Sequence, residues 1–180
     1  MTHSRGFTLI EILITVALLG IALAIAVPSL TSWILAARTK GVAENLAQDI
    51  VMARAEAIRT NKPIRMNIQV ASSSCYGFST NPLGCNCTKT SSTDSAFCEV
   101  KREGEWHGVS ISLDSGQFNN IIFDSTRGLP VTNAFGILPG TQTAKISSSS
   151  GQVNVNMTVI GGLCLSSPSS AKLTGYPDAC

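Results

Sequence analysis

Charge is the first thing this chain is short of. Charged residues fill 13% of its 180 positions, about half the share found in soluble domains. Thirteen lysines and arginines against eleven aspartates and glutamates leave a formal net charge of +2, so long-range electrostatics names no partner. Histidine is scarcer still, with two in the chain. There is no H-E-x-x-H pair and no G-x-S-x-G elbow, which removes the commonest zinc and serine hydrolase signatures. His107, beside Trp106, reads as an interfacial side chain rather than a general base. The pattern predicts no catalytic residue, no metal site and no cofactor. No internal repeat is present, and the length allows one core of ordinary size plus an appendage.

The shortage of charge is local. From Ile12 to Ala37 run 26 residues without a charge, enough to cross a hydrocarbon layer as a helix. A cleaved secretory signal carries a shorter apolar run, and a plain membrane anchor gives no reason for Glu11, four residues after Phe7 in an otherwise apolar stretch. A carboxylate in lipid costs about 2.5 kcal/mol or more at a helix centre and persists where it finds a partner. If the chain is cut between Gly6 and Phe7, the new α-amino group of Phe7 becomes a cation that Glu11 of this or a neighbouring subunit can pair with. The pairing would set the register of one helix against the next, because a mismatch leaves a buried charge unpaired.

The stretch Arg5-Gly6-Phe7-Thr8-Leu9-Ile10-Glu11, followed by an apolar helix containing Pro28, resembles the class III signal of type IV prepilins and type II secretion pseudopilins. The resemblance implies cleavage after Gly6 by prepilin peptidase, N-methylation of Phe7, and Glu11 as the assembly carboxylate. Pro28 removes one helix hydrogen bond; it would allow a kink or local melting as subunits leave the membrane, or be a tolerated membrane proline. The positive-inside rule does not decide orientation, since Arg5 precedes the span and Arg38 and Lys40 follow it.

Beyond the apolar run, Leu30, Ile34, Ala37, Leu46, Ile50, Ala53 and Ala57 recur at helical spacing, with charged residues, Asp49 among them, mostly between. This predicts an amphipathic helix ending near Asn61-Lys62-Pro63. After Pro63 the period falls to two. Ile64 to Val70, Val109 to Leu113, Asn120 to Phe123, Thr143 to Ser147 and Gln152 to Ile160 read as strands of a sheet with one dry face. The stretches 72–95, Asp124 to Gly128 and 147–151 read as loops.

Six cysteines, Cys75, Cys85, Cys87, Cys98, Cys164 and Cys180, all follow the apolar segment. An even set suggests disulfides in an oxidising compartment. The first four could instead supply thiolates to a metal, but their C-x9-C-x-C-x10-C spacing lacks the paired knuckles of structural zinc sites. The preferred pairing joins Cys164 to Cys180 and leaves the other four to brace one loop. That loop, bearing Tyr76, Phe78 and Phe97, is a docking surface or only a stapled insertion.

Trp106-His107-Gly108-Val109 and the run Ile121 to Gly128 resemble two patches of the FimT/FimU and H-pseudopilin family of minor subunits. The expected fold is therefore α+β and pilin-like, a long N-terminal helix packed on an antiparallel β-sheet head. Its parts are a leader (1–6), a transmembrane and filament-core helix (7–36), an amphipathic half (37–62) and a disulfide-braced head (63–180). The implied role is a minor pilin or pseudopilin that joins, primes or caps a filament. Its partners would be other such subunits, prepilin peptidase and the inner membrane, with later residence in a periplasmic or cell-surface filament. Some family members bind DNA through a G-R-x-R patch before a C-terminal cysteine; here the residues are Gly161-Gly162-Leu163-Cys164, and that contact does not carry over. Arg54, Arg59, Lys62 and Arg65 remain as an alternative basic patch for DNA phosphates.

Overall fold

The computed structural model describes residues 7–70, 74–114 and 118–180, leaving aside the side chain of Pro28. The leader and the cut at Gly6 lie outside the described residues. The chain divides into two compact units, Met1–Ile34 and Leu35–Cys180. One helix, α1 (Leu9–Thr60), contributes to both.

Within the first unit the described side chains from Phe7 to Trp33 are all exposed. The helix carrying them is long and apolar enough to cross a membrane, with mean hydropathy 2.7 over its best window. Ile and Val are mediocre helix formers in water. In lipid a helix satisfies every backbone group internally, and that requirement outweighs propensity. The first turn is closed by Thr8, whose Oγ1 accepts the Glu11 N–H at 3.4 Å. Thr8-Leu9-Ile10-Glu11 has the spacing of a capping box.

In the second unit α1 buries Thr39, Val42, Ala43, Leu46, Ala47, Ile50, Ala53 and Ala57. Leu30 and Ala37, expected on this stripe, are exposed; the buried face is set by where the sheets lie, not by hydrophobicity alone. The helix ends with Asn61 in the left-handed region (φ 50°). The Lys62 N–H reaches back to the Ala57 carbonyl at 3.2 Å, a C-terminal closure that Asn tolerates well.

Two antiparallel sheets form the head instead of one. The first has the order β3 (Lys101–Gly104), β2 (Cys75–Ser79), β1 (Ile64–Gln69), β5 (Ile121–Phe123), β6 (Pro130–Val131). The second has β4 (Ser110–Leu113), β7 (Gln142–Ser148), β8 (Gly151–Met157), β9 (Leu163–Ser166). Ile64, Met66 and Ile68 from β1, Tyr76 and Phe78 from β2, Ala144 and Ile146 from β7, and Val153, Val155 and Met157 from β8 join the buried face of α1 in one core. The alternation in β1 and β8 was legible. β8 nevertheless stops at Met157: Gly161 turns the chain at φ 80°, and Val159 is left 39% exposed.

β2 lies inside the stretch expected to be a loop. All five of its residues are buried, so it shows no polar and apolar alternation. Tyr76 and Phe78 enter the core while Gly77 faces the cysteines, where an added Cβ would lie 2.3 Å from Cys98 Sγ. Gly77 is the clearance that lets the disulfides pack on the sheet. β3 is charged and half-buried at the sheet edge, the composition that discourages edge-to-edge pairing.

Candidate functional site

Three features of the described residues bear on function: the apolar first unit with Glu11, the contacts that hold α1 to the head, and the cysteine-braced outer face. Glu11 lies in the first turn of α1 and is exposed, as is Phe7 at 79%. No cation among the described residues forms an ion pair with Glu11.

Asp49 behaves otherwise. It is 6% exposed and accepts hydrogen bonds from Tyr76 Oη at 2.8 Å and Lys101 Nζ at 2.8 Å. Burial first, and then the Asp49 carboxylate, push the Tyr76 phenol far above its ordinary range, so it stays a donor. The Asp49 hydrogen bond raises Lys101. Trp106 is half-buried and stacks on Tyr76 with ring centroids 5.6 Å apart. In the sequence Asp49 is one of the charges that fall between the apolar positions of α1. What identifies it is the pair of donors brought from β2 and β3, and those are remote in sequence.

The corner after β5 makes a second attachment. Partial burial pulls the Asp124 carboxyl upward, but N–H donors from Arg127, Thr126 and Leu129 outweigh it and hold the group below its usual value. The first two bonds are 2.7 Å and the third 3.1 Å. Gly128 takes φ 64°, and a Cβ there would come within 3.1 Å of Ile58 Cδ1 and 3.2 Å of the Arg54 carbonyl. The glycine thus permits both the turn and its close approach to the helix.

The four cations proposed for DNA do not form a shared surface. Arg54 donates to the carbonyls of Gly128 at 2.9 Å and Gly161 at 2.6 Å. Arg59 pairs with Glu56. Arg65 is 7% exposed and donates to Asn133 Oδ1. Lys62 is exposed, with no such commitment among the described residues. β-sheet formation turned Arg65 under the cysteine loop, and the turn at Gly161 captured Arg54; neither event is encoded near those residues.

The six cysteines pair as Cys75–Cys87, Cys85–Cys98 and Cys164–Cys180. The first four are buried together as a second apolar cluster, and no group of three or more metal-ligating side chains occurs among the described residues. Tyr76 and Phe78 are fully buried and Phe97 half-buried, so these aromatics do not supply an exposed docking face. The exposed apolar residue of that loop is Leu83, at 93%.

A helix exposed and apolar in its first unit continues into the core that two antiparallel sheets complete in the second. The family described as type II transport protein GspH matches residues 42–161, and the prokaryotic N-terminal methylation motif matches residues 1–27. The chain belongs to this GspH family and is a minor pilin or pseudopilin. Among solved structures, the minor pseudopilin EpsH of the type 2 secretion system of Vibrio cholerae is similar over 73% of this chain and 98% of its own, with 15% identity and a TM-score of 0.47. The type IV minor pilin FimU of Pseudomonas aeruginosa is similar over 76% of this chain in two crystal forms, covering 99% and 94% of that protein, with 17% identity and TM-scores of 0.47 and 0.48. No curated protein matches.

Proposed function

We propose that the chain is made as a membrane-inserted precursor, cut after Gly6 by prepilin peptidase and N-methylated on Phe7. It then enters a filament through α1 to prime or cap it, at the inner membrane and in the periplasm or at the cell surface. The observation that carries this reading is Glu11, a carboxylate on an apolar, exposed helix with no ion-pair partner among the described residues. In a low-dielectric bundle an uncompensated carboxylate is costly. The amine freed at Phe7 supplies a cation of the right sign four residues away. A neighbouring subunit in the correct register completes the pair, and an incorrect register leaves it open. The ion pair therefore selects register more than it adds stability. Pro28, by lacking an N–H, gives α1 a place to bend during transfer from lipid to filament.

A DNA receptor is the weaker reading, because Arg54, Arg59 and Arg65 are engaged within the chain. The test of the main reading pairs mass spectrometry with assembly. Native protein should begin at methylated Phe7, and Glu11→Ala should be processed yet fail to enter filaments. An intact Met1, an end near Ala26, or normal incorporation of Glu11→Ala would overturn it. Scoring piliation and protein secretion separately in a deletion strain then identifies the machine.

A further inference from the structure

The outer face of the first sheet carries a buried cation with no counter-ion among the described residues. Arg65 stands opposite Ser79 on one side and Ile122 on the other, on the face of β1 turned away from the core residues Ile64, Met66 and Ile68. The cysteine-stapled loop crosses above it: an added Cβ on Gly84 would lie 3.0 Å from Arg65 Cδ and 2.7 Å from Asn67 Oδ1. That cover leaves the arginine 7% exposed. Its Nη1 donates to Asn133 Oδ1, while its Nε is buried without an acceptor among the described residues. No carboxylate among the described residues lies within 4.0 Å of the guanidinium. The acids near it are held elsewhere: Asp94 of this loop pairs with Lys89 at 3.1 Å, and Glu99, just after Cys98, accepts from the Thr80 N–H at 2.6 Å and Thr80 Oγ1 at 2.8 Å.

A guanidinium removed from water with one neutral partner is costly, and desolvation lowers its affinity for its proton. A methionine of similar length would fill the same space without that cost. The arginine nonetheless lines a cleft of about 290 Å³ whose other walls include Pro63, Pro82, Ile122, Phe135 and Asn133. The disulfide loop supplies one wall and the turn after β6 the other, where Phe135 is held at φ 57° and 64% exposed. The single cation matches a monoanion better than a phosphate dianion. The flat fork of arginine suits the two oxygens of a carboxylate, and the proline, isoleucine and phenylalanine suit an apolar group attached beside it.

We propose that this cleft binds a carboxylate carried next to an apolar side chain on a partner polypeptide, with Arg65 as counter-ion and Asn133 holding the guanidinium in place. The stapled loop then has a use: its two disulfides fix the Thr80–Pro82 wall over β1. The site involves neither Gly6 nor Glu11, so it stands or falls apart from the filament reading.

The test is NMR titration of the full-length protein in detergent micelles, following the Arg65 Nε–H and the Asn133 side-chain amide. N-acetyl-leucine presents a terminal carboxylate, N-acetyl-glutamyl-leucinamide a side-chain carboxylate, and N-acetyl-leucinamide neither. At least one acid should shift both signals saturably, with a dissociation constant of about 1 mM for so small a probe, and the better acid identifies the source. The neutral amide should leave them unmoved. Arg65→Lys, which keeps the charge and loses the fork, should weaken the acid by about tenfold or more. Equal shifts from the amide, tighter binding of inorganic phosphate than of either acid, or no saturable shift from either acid would overturn the proposal. The acid-against-amide comparison uses the unaltered chain and holds even if the arginine variant fails to fold.

Discussion

Glu11 and Asp49 sit on one helix, each among apolar neighbours, and the two regions that contain them treat the charge differently. In the Leu35–Cys180 unit, Asp49 is buried and its donors, Tyr76 and Lys101, come from the same chain. In the Met1–Ile34 unit, Glu11 is exposed and no described cation pairs with it. A charge in a low-dielectric setting needs a partner in both places. One region answers the need internally and so folds on itself; under the proposed reading the other answers it with a second subunit.

The largest effect expected is from Asp49→Ala. It strands the Tyr76 hydroxyl and leaves Lys101 at the sheet edge without its main partner, and should cost about 3–5 kcal/mol of head stability, measured by urea unfolding followed by near-ultraviolet circular dichroism. A loss below about 1 kcal/mol would mean that the attachment of α1 to the sheets is apolar alone, and the contrast with Glu11 would fail. Next comes the double variant Cys164→Ser with Cys180→Ser. These residues are 16 apart in sequence, and opening that loop should cost about 3 kcal/mol on the chain-entropy account. The second unit is thereby expected to depend on its covalent ties as well as its core.

Asp124→Asn should cost about 1 kcal/mol, the usual worth of a carboxylate capping free N–H groups. Because Asp124 is lowered in the folded chain, its contribution is complete above an unfolded value of about 3.9 and is lost as pH falls through the folded value. Lys101 has the opposite sign. Its folded value is raised, so its contribution is complete below about 10.4 and is lost as pH rises through the folded value. Unfolding at a series of pH values should show the acid-side loss flattened in Asp124→Asn and the alkaline-side loss flattened in Lys101→Met. The smallest effect on head stability belongs to Glu11→Ala, within about 0.5 kcal/mol of the parent, even as incorporation into filaments is abolished. A large change in head unfolding from that substitution would erase the difference between the two regions.

Strands with one dry face and one wet face were legible: β1 and β8 alternate plainly, and the end of α1 is marked by Asn61 and Pro63. β2 was hidden because the core covers one of its faces and disulfides the other. β3 and β9 were hidden because they are short edge strands whose half-buried residues alternate weakly. Thr8 as a cap carried a signal, the T-x-x-E spacing, within the same residues as the processing motif. Asp49 and Arg65 carried none. A charge among apolar residues looks alike in sequence whether it is solvated, paired or left waiting, since the distinction depends on groups 27 to 68 residues away.

The sequence by itself determined the uncharged run, the acid at its start, the helix that continues from it and the even cysteine set, because each is a matter of local composition and spacing. The division into two sheets, the pairing of the first four cysteines, the burial of Asp49 and the isolation of Arg65 were decided only by tertiary structure. Those depend on which distant strands meet, and the energy of a buried charge is set by its neighbours in space rather than along the chain.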